Sequence, residues 1–79
     1  MTAKEKLIKK FFKNPESLKC AEIQKVLIYL GSIKIQAKGS HLKFKNHKLK
    51  QDIILPIHNN ECKDFYKKQA SKILKEIKK

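Results

Sequence analysis

Three histidines stand in this chain, and the spacing around one of them singles it out. His41 lies in Lys38-Gly39-Ser40-His41-Leu42-Lys43-Phe44. Read with a period of two, this stretch sets His41, Lys43 and Lys45 on one side of an extended segment and Leu42 and Phe44 on the other. Gly39 and Ser40 suit a tight turn just before it, because glycine accepts backbone angles that other residues resist. A histidine, with an ordinary pKa of about 6.5, can take or give a proton at physiological pH. RNA supplies its own nucleophile for such a group: the 2′-hydroxyl attacks the adjacent phosphate once its proton is removed. Lys38, Lys43 and Lys45 would hold phosphates and offset charge developing at phosphorus, and the Ser40 hydroxyl could donate to a phosphate oxygen. Taken alone, a single histidine on a strand is more often a surface or packing residue than a catalyst.

The other histidines carry less. His58 follows Pro56 at a predicted strand end, where a structural role is the plainer reading and a second acid/base role stays open. His47 is most simply a solvated turn residue. His58 and Cys62 are four residues apart, but a closed zinc site wants four ligands and no second close pair exists. Gly31 and Gly39 are the only glycines, so no glycine-rich phosphate loop is present. No paired carboxylates flank a histidine. The expectation is hydrolysis without metal or cofactor.

Composition points to an anionic partner. The 79 residues carry 20 lysines and no arginine against 7 acidic residues, a formal charge of +13. Charged helix faces are usually only solubilising, but an imbalance this large exceeds what solubility requires. Lysine meets phosphate as a hydrated point charge without arginine's flat fork, so contacts to nucleic acid should fall mainly on the backbone. A chain this short has room for one domain with one core, burying only about 60 to 65% of its unfolded surface. No apolar run reaches the roughly 18 residues of a membrane span, and Met1 to Glu5 leads straight into an amphipathic pattern unlike a secretory signal. Cytoplasmic residence is therefore expected, with Cys20 and Cys62 reduced; sequence alone leaves a disulfide between them open.

The elements that must position His41 are legible as periodicities. Leu7, Ile8, Phe11 and Phe12 predict a first helix from Lys4 to Lys13, broken at Asn14-Pro15. Ile23, Val26, Leu27 and Leu30 form the stripe of a second helix stopped by Gly31. Ile33, Ile35 and Ala37 alternate with Lys34, Gln36 and Lys38, a strand with one wet face. The His41 stretch is the next strand, and Lys45 to Lys48 a loop to a third from about Leu49 to Leu55, where Pro56 ends pairing. Asp64 could cap a final helix with Tyr66, Ala70, Ile73, Leu74 and Ile77 as its buried stripe. An antiparallel meander of three strands with helices on its apolar face is the simplest assembly.

The run Gly39-Ser40-His41 followed by Phe44, then Leu55-Pro56-Ile57-His58 and a basic terminal helix, resembles the HicA-type toxins of bacterial toxin-antitoxin pairs. The likeness covers about Cys20 to Ile77, with Gly-Ser-His its most specific element; Ser32 stands where the family usually carries an aromatic. It implies an α+β, double-stranded-RNA-binding-like fold of order α-α-β-β-β-α. Residues 20–79 would be the toxin core and 1–19 an N-terminal helical extension of the same single domain. It further implies an endoribonuclease acting on messenger RNA with His41 as the catalytic residue, neutralised by an acidic HicB-type antitoxin that covers the same face. The main alternative is an RNA-binding module of the same fold that does not cleave. A DNA-binding domain is weaker, because no helix-turn-helix recognition helix stands out.

Overall fold

A computed structural model describes residues 2–37, 39, 41–59 and 61–78, with side chains as far as residue 76. The chain is α+β, three helices and a three-stranded antiparallel sheet in the order α-α-β-β-β-α. Helix α1 spans Ala3–Lys13, with the Thr2 hydroxyl accepting from the Glu5 N–H at 3.1 Å. It ends where the Asn14 N–H donates to the Lys10 carbonyl and Pro15 opens a single 3₁₀ turn, Pro15–Ser17. Helix α2, Cys20–Tyr29, starts with the Glu22 carboxylate accepting from the Lys19 N–H at 2.9 Å. At its other end Gly31 takes φ +96°. That lets the Ser32 N–H reach the Leu27 carbonyl and the Gly31 N–H the Ile28 carbonyl, the paired bonds of a Schellman stop.

Strands β1 (Ile33–Gln36), β2 (His41–Lys45) and β3 (Ile53–Pro56) pair in that order, with β2 central. Phe44 and Leu42 face Ile53 and Leu55 across the β2–β3 pairing, and all four are buried. Ile23, Val26 and Leu27 of α2 and Ala70 and Leu74 of α3 (Asp64–Lys78) close over them. Phe11 of α1 is fully buried in the same cluster. The buried Ser71 hydroxyl donates to the Phe11 carbonyl at 3.0 Å, tying α3 to α1. Among the described residues, no helix is long and apolar enough to cross a membrane.

Three local expectations need correction. The third strand starts at Ile53, not Leu49, because Asn46 organises the connection as a turn: its side-chain oxygen accepts from the Lys48 N–H at 3.0 Å and its carbonyl from the Leu49 N–H at 2.9 Å. Pro56 remains inside the strand, opposite His41; at the last position of an edge strand a missing N–H costs the sheet little. The β1 alternation also faces the unexpected way. Lys34 and Gln36 pair with Phe44 and Leu42, so Ile33 and Ile35 share the open face with Lys45 and Lys43 and stay 66% and 39% exposed. Because strand faces alternate, burial of Leu42 and Phe44 in this register decides the facing of every β1 residue.

Candidate functional site

The β1–β2 hairpin delivers His41 to its place. Gly39 sits at φ +65° with open space around the position of a Cβ, so its backbone angle alone calls for glycine. The Gln36 side-chain amide reaches over the turn to the Gly39 carbonyl at 3.4 Å, and the Ala37 N–H closes the hairpin on the His41 carbonyl at 3.1 Å. Two residues expected at the site, Lys38 and Ser40, lie outside the described residues.

His41 is exposed at the first position of the central strand, where β3 ends beside it. It borders two adjoining grooves that run between β3 and α3. The first, of about 520 Å³, is shared with His58, Glu61, Lys63 and Tyr66. The second, of about 340 Å³, passes Asp52, Ile54, Tyr66 and Gln69. Sequence left His58 with two readings, and the fold sets it in the same groove as His41. It is held there by a narrow two-bond bridge: the His58 N–H donates to the Glu61 carbonyl and the Glu61 N–H returns to His58, both at 2.9 Å. Asn59 makes the reversal with φ +52°, an angle that asparagine tolerates better than most residues.

The two described lysines expected at the site are placed differently. Lys43 Nζ is 3.1 Å from an Asp52 carboxylate oxygen, so part of its charge is already met within the protein. The contact is half-exposed, and such pairs are weak enough for a phosphate to compete. Lys45 is exposed at the other end of the strand, four residues from His41 and therefore about 13 Å away along the backbone. His47 is exposed in the β2–β3 turn and borders neither groove.

Sequence reasoning did not assign Tyr66, Lys63 or Gln69 to the grooves beside His41. Tyr66 belongs to the stripe that packs α3 on the core, yet it is only half-buried and borders both grooves. The available signal was its hydroxyl, since a tyrosine on an apolar stripe commonly keeps a polar tip at the rim. Lys63 supplies a cation beside the two histidines.

Cys62 lies at the floor of the same groove as a buried thiol next to buried Cys20. Burial first, and the neighbouring Cys20 thiol second, push its pKa up to about 12. A thiol held that far from ionisation is a poor nucleophile and a poor metal ligand. Among the described residues, no group of three or more histidine, cysteine or acidic side chains is placed to hold a metal ion. Two imidazoles beside an ammonium group are side-chain types suited to proton transfer. No family model, curated protein or solved structure matches the chain.

Proposed function

We propose that this chain is a HicA-type toxin, an endoribonuclease that cleaves messenger RNA in the cytoplasm and is silenced by an acidic HicB-type antitoxin. The observation that carries this reading is the pair His41 and His58 on one groove, with Lys63 and the Tyr66 ring between β3 and α3. Cleavage of RNA without a metal needs one group to take the 2′-hydroxyl proton and another to protonate the departing 5′-oxygen. Two imidazoles divide that work: the base form of one receives the proton as the 2′-oxygen bonds to phosphorus, and the protonated form of the other gives its proton to the leaving oxygen. Lys63, and Lys43 once released from Asp52, stabilise the extra negative charge on the phosphate in between. His41 is the residue assigned the acid/base role; His58 is its second.

Binding of RNA without cleavage is the rival, and the charge of +13 favours it because a polyanion partner needs no histidine. Incubation of purified protein with end-labelled RNA in EDTA separates the two. Wild type should release fragments, and His41→Ala should lose about 10²- to 10⁴-fold of rate while binding RNA as before. The substitution removes an exposed side chain between buried Leu42 and its turn, so no core cavity opens. Undiminished cutting by the mutant removes His41 from the mechanism, and intact RNA with wild type leaves only the binder.

A further inference from the structure

A third groove, of about 480 Å³, lies outside the histidine site and is lined by Phe65, Lys68, Gln69, Lys72, Ile73 and Gln51. It meets the second His41 groove at Gln51, Gln69 and Ile73, which border both, so the two form one trough along α3. Phe65 is 65% exposed at its rim, the most open aromatic among the described residues of helices and strands. Its ring is not loose: it stands edge-to-face against Tyr66, with centroids 5.2 Å apart, and Tyr66 borders the His41 grooves. Lys68 and Lys72 follow one turn and two turns along the same helix face.

We infer that this groove seats an unpaired base of single-stranded RNA on the Phe65 ring, with Lys68 and Lys72 on the flanking phosphates, next to the scissile position at His41. The inference rests on RNA being the ligand of the proposed site, and it adds the strandedness of the substrate and its path along α3. A planar hydrophobic ring between cations matches the alternation of base and phosphate in a single strand. A duplex keeps every base face but those of its two end pairs stacked inside and has little to offer Phe65. Two carboxylates bear on the lysines: Glu16 stands 3.6 Å from Lys68 Nζ, and Glu76 lines the groove. The Lys68–Glu16 contact is exposed on both sides, and exposed pairs of this kind yield to a phosphate at little cost.

The test measures binding by fluorescence anisotropy in the His41→Ala background, where RNA stays intact, using a short single strand and a blunt duplex of the same sequence. Phe65→Ala should weaken the single strand about 5- to 150-fold, the range that stacking of one base on an aromatic confers. The duplex affinity and the salt slope should not change, and Phe65→Trp should restore single-strand binding. Replacing Lys68 and Lys72 together by glutamine should flatten the log-log salt slope by about 1.4, two phosphates at about 0.7 each. Because Phe65 is exposed, its truncation should leave the melting temperature intact, which separates lost contact from lost fold. An unchanged single-strand affinity, or a loss shared equally by duplex, overturns the inference, as does a Phe65→Ala defect confined to binding an acidic protein. Cleavage is not read in this assay: Phe65-dependent binding by a protein that never cuts RNA overturns the catalytic reading alone.

Discussion

At the residue scale, Cys62 carries the clearest electrostatic signature. Its thiol is raised from an ordinary 9.0 to about 12 by burial and by Cys20 beside it. Below pH 9 the thiol is protonated in folded and unfolded chains alike, and stability is unaffected. Between pH 9 and about 12 the unfolded chain releases this proton and the folded chain keeps it, so stability must fall as pH rises through that window. Urea melts at pH 8 and pH 10.5 should show wild type losing more stability than Cys62→Ala, in which that titration is absent; equal losses would contradict the burial argument. Sequence left the relation of Cys62 to Cys20 open, since the two are 42 positions apart and only the fold brings them together. The exposure of His41 was legible, because Leu42 and Phe44 are the only apolar side chains of its strand and their burial turns it to the other face. The Lys43–Asp52 contact was not, since it depends on how the 46–52 connection folds.

At the element scale, the sheet shows which patterns determine a structure and which only permit one. Helix α2 ends where its stripe and Gly31 predict, because the left-handed residue and the apolar period impose the same boundary. Strand β1 alternates as read, yet its isoleucines face outward: alternation fixes that two faces differ and leaves the choice of face to the register of β2. The start of β3 was missed because Leu49 is half-buried without belonging to a strand, and burial alone does not distinguish a packed loop from an edge strand. Helix α1 falls outside the stretch that resembles the toxin family, yet it supplies fully buried Phe11 and the carbonyl that Ser71 binds. Phe11→Ala should therefore cost about 3 to 5 kcal/mol, the usual penalty for truncating a buried phenylalanine. A thermal melt of that variant indistinguishable from wild type would mean that α1 is only appended to the domain. In a domain of this size the expected loss is a large share of total stability.

At the scale of the whole molecule, charge sets stability and binding against each other. With 20 lysines and 7 acidic residues, a domain this small carries a large excess of positive charge. Ion pairs such as Lys43–Asp52 and Lys67–Asp64 offset a small part of it. Self-repulsion favours the expanded chain, and it acts over a distance that salt controls: about 30 Å at 0.01 M and about 8 Å at 0.15 M ionic strength. Raising sodium chloride across that range should therefore raise the melting temperature, by about 4 to 8 °C for each kcal/mol of repulsion screened. The same salt should weaken RNA binding, because each lysine–phosphate contact releases fewer counterions' worth of free energy as the bulk concentration rises. Calorimetric melts and anisotropy titrations on the same samples would read both trends. Opposite signs are what the proposed polyanion partner requires of a domain so rich in lysine, while a melting temperature that is flat or falls with salt would show that the positive charges are already balanced within the fold.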